Sequence, residues 1–310
     1  MSTFVIWFFT SYLSQISNMF KIINKQLLNQ DIKRIDIAAP EIAQKFLPGQ
    51  FVMVTPFAGS HPIPLSIVDA DERKGTISLI IYEVGATTRQ LGSISINQEI
   101  YLIQGPLGLP AHVDKCGLVV CVATGIGAAQ ILPICRALKK AGNKIIGIVG
   151  AKTKRAMMLE AQMRIVCDEI YITTNDGSYE RRGLATQLLR SLLEKQTVNR
   201  VYAIGSVEMM QAASEMAKEK NIEIFVTVNP VMLEANGLCG SCRVQVGGQM
   251  RLACIDGPHF NGREVDFEYL SVRMDAFKET DEWGNLKAPG SPKSGELKIL
   301  PKFLSGILRR

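Results

Sequence analysis

Histidine is scarce here: three residues in 310, too few for a His-rich metal site, and no catalytic-triad pattern shows in the sequence. No Arg/Lys run is interleaved with aromatics, which excludes a nucleic-acid surface, and the net charge of +6 leaves only a basic face for an acidic protein partner. No internal repeat is visible. Met1 to Phe20 is apolar, with Phe4-Val5-Ile6-Trp7-Phe8-Phe9, yet it lacks a positive n-region and is broken by Ser, Gln and Asn. It is therefore neither a signal peptide nor an integral membrane segment, and residues 1–18 are expected to be an N-terminal extension. Cys116, Cys121, Cys135 and Cys167 lie singly in apolar contexts typical of reduced thiols, which points to the cytoplasm. What remains is an ordinary globular composition, 47% hydrophobic and 21% charged, long enough for two domains.

The most informative residues present are Cys239-Gly240-Ser241-Cys242 and, after eleven intervening residues, Cys254. Three thiols at this spacing in a Gly-rich loop read as iron–sulfur ligands, and electron transfer becomes the leading idea. A Cys-x2-Cys pair alone would fit zinc or simple packing as well. Gly247-Gly248 forms a tight turn between two short strands, so a hairpin returns Cys254 toward the first two thiols.

From Phe20 to Leu109 short β-rich runs alternate with Gly/Pro turns, as in a small antiparallel barrel. Leu118–Ala123 is a continuous apolar run followed by Gly125-Ile126-Gly127 and a helical pattern from Ala128 to Lys140. Strand and helix then alternate to Val228, predicting a parallel, doubly wound sheet. Asn229 to about Tyr269 is the cysteine-bearing region, and the Pro-Gly-Ser-Pro stretch at Pro289–Pro292 marks a flexible tail.

Thr124, Gly125, Gly127 and Ala128 form a β–α turn whose amides could meet a pyrophosphate at a helix N-terminus, although such glycines also serve close packing. Asn175, Asp176, Gly177 and Ser178, and likewise Gly205, Ser206, Glu208 and Met209, follow later strands at the same carboxyl edge. In the barrel half, Pro64, Leu65, Ser66 and Ile67, together with Tyr82, Val84, Gly85, Thr87 and Thr88, are candidates for a flavin. Ser66 would bond the ring system, while Gly85 and the Thr87/Thr88 hydroxyls and amides would cradle phosphate; an ordinary strand end and turn is the alternative. Lys152 and Lys154 either meet a nucleotide 2′-phosphate or are solvated.

The order of these pieces resembles the ferredoxin–NADP reductase superfamily, in particular the branch holding the dihydroorotate dehydrogenase electron-transfer subunit and the small subunit of NADH-dependent ferredoxin:NADP oxidoreductase, also called sulfide dehydrogenase. The resemblance runs from about Met19 to Met274 and is most specific at Thr174–Tyr179, Gly205–Met210 and Cys239–Asp266. It implies an FAD-binding barrel at 19–112, a Rossmann-like NAD(P)-binding domain at 113–228, a [2Fe-2S] cluster region at 229–275 and a tail at 276–310. NAD(P)H would give hydride to FAD, and the cluster would pass single electrons onward. The dihydroorotate dehydrogenase pattern places a fourth Cys five residues before Cys239, where this chain has Glu234. The other branch has Asp there, so the resemblance implies Glu234, Cys239, Cys242 and Cys254 as metal ligands; a surface Glu234 with another group as fourth ligand is the alternative. Pro62 stands where the family places an Arg near the flavin phosphate, with His61 beside it. The implied partner is a larger flavoprotein subunit resembling the small subunit of glutamate synthase, with ferredoxin reached through that subunit. The competing readings are a dihydroorotate dehydrogenase electron-transfer subunit and a redox-sensing module.

Overall fold

The computed structural model describes residues 20–276; the expected extension at 1–18 and the tail from 277 onward lie outside the described residues. The first unit contains β1 (Ile22–Asn29), β2 (Ile32–Ala38), α1 (Pro40–Lys45), β3 (Phe51–Thr55), β4 (Ile63–Asp71), β5 (Thr76–Tyr82), α2 (Ala86–Ser93) and β6 (Leu102–Leu107). Its strands pair antiparallel in the order β1-β2-β5-β4-β3-β6. The chain before β6 returns to β1 through Asn97 N–H to Ile22 O at 2.8 Å and Ile100 N–H to Phe20 O at 3.0 Å, curling the sheet into a barrel. The period of two along each strand decides what lies inside. Val52, Val54, Ile67, Leu79 and Ile81 fill the barrel, whereas Phe51, Met53, Val68 and Ile80 point outward into cores shared with the rest of the molecule. Burying each of those outward side chains stabilises the docked arrangement by about 2 kcal/mol. The two helices, at six and eight residues, are too short to leave a helical period in the sequence.

The second unit contains β7 (Leu118–Thr124), α3 (Gly127–Lys140), β8 (Lys144–Ala151), α4 (Glu160–Val166), β9 (Glu169–Thr174), β10 (Arg181–Arg182), α5 (Ala185–Lys195), β11 (Arg200–Ile204), α6 (Val207–Glu219) and β12 (Glu223–Thr227). The cysteine-bearing region follows with β13 (Arg243–Val246), β14 (Gln249–Leu252), β15 (His259–Asn261) and α7 (Phe267–Ala276). The large sheet runs β10-β9-β8-β7-β11-β12-β15. It is parallel except for β15, which pairs antiparallel with β12 and so pins the cysteine region to the edge of the sheet. Strand order reverses between β7 and β11, the position at which open sheets bind ligands beyond their carboxyl ends. Helix α3 lies along β4, with Arg136 Nη1 3.1 Å from the Asp69 carboxylate.

Candidate functional site

The expected flavin residues divide between the outer face of the barrel and its interior. Pro64 and Tyr82 are exposed and Ser66 half-buried, whereas Leu65 and Ile67 belong to the barrel interior and position the strand. Because β4 and β5 are antiparallel, the start of β4 and the end of β5 lie at one end of the barrel, where α2 begins. Val84 is exposed beside them. The structure changes the expected role of the threonines. Thr87 is buried, and the Thr88 hydroxyl closes the turn with the Gly85 amide and carbonyl, both at 3.0 Å. The first-turn amides of α2, with the positive end of its dipole, are therefore the groups left for an anionic phosphate. The exposed His61 and half-buried Pro62 precede β4, so no Arg comes from that segment.

Around the switch point, Gly125 has φ +56 and open space where a Cβ would stand, the opening a pyrophosphate needs. Gly127 behaves differently. A Cβ there would lie 2.2 Å from the Ile204 carbonyl oxygen, so Gly127 serves close packing of α3 on β11 rather than approach of a ligand. Ala128 is buried behind it. Gly205 packs against Thr124 and Met209, and the Ser206 hydroxyl caps α6 by accepting from Met209 N–H at 3.3 Å. Met209 is buried, so of this loop Ser206 and Glu208 are the exposed members. Asn175, Asp176, Gly177 and Ser178 are all exposed at the end of β9. The Asp176 carboxylate accepts the Ser178 N–H at 3.0 Å and hydroxyl at 2.7 Å, which holds it below the usual carboxylate range. Ser178 in turn accepts the Lys154 N–H at 2.8 Å, tying together the loops after β8 and β9. Lys154 Nζ lies 4.8 Å from the centre of the Tyr179 ring, and Lys152 is exposed.

The cysteine loop is built on the hairpin β13–β14, whose turn needs Gly247 (φ 59) and Gly248 (φ 74) in the left-handed region. Ala253 N–H bonds Cys242 O at 3.0 Å, and the buried Cys242 and Cys254 bring their sulfurs to 3.2 Å as free thiols. Burial, with the neighbouring Cys242 thiol, pushes Cys254 up to about 11. Cys239 is exposed and its pKa is lowered, first by the Ser241 hydroxyl. Ser241 Oγ accepts the Leu233 N–H at 3.2 Å, which leaves its own proton free for Cys239 Sγ at 3.3 Å. Arg273 of α7 holds the same turn through Ser241 O at 2.8 Å. Glu234 is exposed and accepts from the Asn236 side chain at 2.7 Å, and its charge acts on the nearby Cys239 thiol. Among the described residues, no three Cys, His, Asp or Glu side chains converge on a point that one metal ion could occupy. Two close thiols and a third farther out suit a binuclear cluster, in which each iron takes only some of the protein ligands.

Residues 229–266 match the iron–sulfur cluster binding domain of dihydroorotate dehydrogenase B. The chain is 33% identical over 262 residues to a Thermotoga maritima homologue of the dihydroorotate dehydrogenase B (NAD(+)) electron transfer subunit, covering 84% of this chain and 93% of that protein. The chain belongs to the family of dihydroorotate dehydrogenase B electron-transfer subunits and their homologues. The chain is also 35% identical over 273 residues to an uncharacterised protein of the adh 3′ region of Clostridium beijerinckii, covering 85% of this chain and 92% of the relative. A solved chain of NADH-dependent reduced ferredoxin-NADP oxidoreductase superposes with a TM-score of 0.80 at 33% identity, covering 84% of this chain and 94% of that one. Phthalate dioxygenase reductase, at 16% identity and a TM-score of 0.52, shares the fold. No helix among the described residues is long and apolar enough to cross a membrane.

Sequence reasoning missed two contributors. Ser241 was visible inside Cys-Gly-Ser-Cys without a signal for its bond to Cys239. The second, His259, joins residues that sequence distance conceals.

Proposed function

We propose that this chain is the NAD(P)H-oxidising, electron-conducting subunit of a heteromeric cytoplasmic oxidoreductase, holding FAD, one [2Fe-2S] cluster and a nicotinamide site. The barrel of 19–112 carries the flavin, 113–228 the nicotinamide and 229–275 the cluster. The observation that carries the reading is the position of the cysteine loop. Ser66 pairs with Phe51, Phe51 with Leu107, and Leu109 N–H bonds Gly257 O at 2.6 Å, three residues after Cys254. Adjacent strands lie about 4.8 Å apart, so two steps across the sheet, about 10 Å, lead from the flavin segment to β6, and the Leu109–Gly257 bond makes the third step to the cysteine region.

When bound, FAD would supply hydride acceptance and its division into single electrons, and a [2Fe-2S] cluster one-electron transfer. The residues supply position. Ser66 and Tyr82 present the outer barrel face to the flavin, the α2 N-terminus holds its phosphate, and Gly125 admits the nicotinamide pyrophosphate. Exposed Asn175, Ser178, Ser206 and Glu208 orient the rest of that nucleotide. Cys239, Cys242 and Cys254 would hold the cluster, the Cys239 thiolate favoured by Ser241, with Glu234 as the fourth ligand.

The partner is a larger flavoprotein subunit resembling the small subunit of glutamate synthase, docked on the cluster loop at Gly237–Cys242, where Leu238 is 85% exposed. Comparing the purified chain with the reconstituted pair tests this. The chain alone should oxidise NAD(P)H only with artificial acceptors. Ferredoxin- or sulfide-linked turnover by the chain alone, at the rate of the pair, overturns the subunit assignment.

A further inference from the structure

His259 stands where three units meet. It belongs to β15, is part-buried, and reaches the sheet on one side and the barrel on the other. Its Nε2 lies 3.0 Å from the Gly49 carbonyl, 210 residues away, and its Nδ1 lies 2.8 Å from the Thr227 hydroxyl. A carbonyl only accepts, so Nε2 carries the proton; Nδ1 is then an acceptor, and Thr227 donates to it. The imidazole presses so closely on the barrel that a Cβ at Gly49 would fall 2.2 Å from Nε2, and Gly49 has φ +96. Gly49 lies two residues before Phe51, the residue paired with Ser66. Around the ring, Val228 N–H bonds Pro258 O at 3.0 Å and Gln50 Nε2 bonds Gly108 O at 2.8 Å, so the joint continues into the strands that approach the cysteine loop.

We propose that His259 is a positioning residue that sets the separation between the flavin face of the barrel and the cluster loop. The inference rests on the cofactor placement given above. It assigns His259 no contact with either group. Its two bonds fix the start of β3 relative to the chain five residues after Cys254, and a shift of about 1 Å in such a seam is enough to slow a geometry-dependent step on the order of 10²-fold.

The test compares His259→Phe, which keeps the ring but loses both bonds, with His259→Gln, whose amide can donate to Gly49 and accept from Thr227. Two quantities are read: amide hydrogen exchange at Leu109 and Val228, which needs no cofactor, and rapid kinetics that separate flavin bleaching by NADH from reduction of the cluster. His259→Phe should speed exchange at both amides and slow cluster reduction about tenfold or more, with bleaching unchanged, and His259→Gln should restore most of both. Unchanged exchange, or faster exchange with cluster reduction at the parental rate, overturns the positioning role, as does equal slowing of bleaching. A parental chain whose flavin NADH and NADPH fail to bleach refutes the functional reading instead, and the exchange comparison still decides whether His259 holds the joint.

Discussion

Single residues divide into those that meet a cofactor and those that make room for one. Each of Cys239→Ala, Cys242→Ala and Cys254→Ala should abolish the cluster, read as loss of acid-labile sulfide and of the visible iron–sulfur absorbance. Glu234→Cys should keep the cluster and lower its potential, because a thiolate gives more charge to iron than a carboxylate. A potential equal to that of the parent would remove Glu234 from the ligand set. The glycines of the β7–α3 turn separate in the same way. Gly127→Val drives a side chain into the Ile204 carbonyl and should cost about 1–3 kcal/mol of stability, measured by denaturant unfolding. Gly125→Ala places its Cβ in open space at a strained φ, so it should raise the KM for the nicotinamide and cost only the backbone strain, about 1–2 kcal/mol, in denaturant unfolding. The sequence showed both glycines but not which did which, because that depends on how closely β11 approaches from 77 residues farther along the chain.

At the scale of elements, the readable features were those with local causes. Gly247-Gly248 announced the hairpin because both residues need positive φ, and the apolar run Leu118–Ala123 announced β7 because a central parallel strand is buried on both faces. Illegible were α2, one turn too short to show periodicity, and β15, three residues long, whose identity as a sheet edge is decided by β12 beside it. The burial of Thr87 likewise follows from how α2 settles on the barrel. The β15 joint makes a pH prediction. Burial of His259, opposed by its bond to Gly49, pushes its pKa down to about 4, below the 6.5 of a free imidazole. The unfolded chain therefore takes up the proton first as pH falls. Stability from this group is complete above about pH 6.5 and is lost progressively toward pH 4. The urea midpoint should fall between pH 7 and pH 5, and the fall should be smaller in His259→Gln; an identical pH dependence in the two proteins would exclude His259 as its source.

Across the whole molecule the proposed path runs from nicotinamide edge to barrel face to cysteine loop, and outward-facing Phe51 and Met53 share a core with Cys242 and Cys254. The domain order was legible from the change of pattern at Cys116 and from the cysteine spacing. The mutual docking was not, since it rests on contacts such as Leu109 with Gly257 and Arg136 with Asp69 that no local pattern encodes. The most direct measurement is anaerobic titration of the purified native chain with NADH and with NADPH, following flavin absorbance and the electron paramagnetic resonance of the reduced cluster, beside iron and sulfide analysis. The account predicts FAD, about two iron and two sulfide per chain, bleaching of the flavin by at least one of the two nucleotides, and appearance of a reduced [2Fe-2S] signal in the same protein. Stoichiometric zinc without acid-labile sulfide, or a flavin that neither nucleotide bleaches, would contradict it.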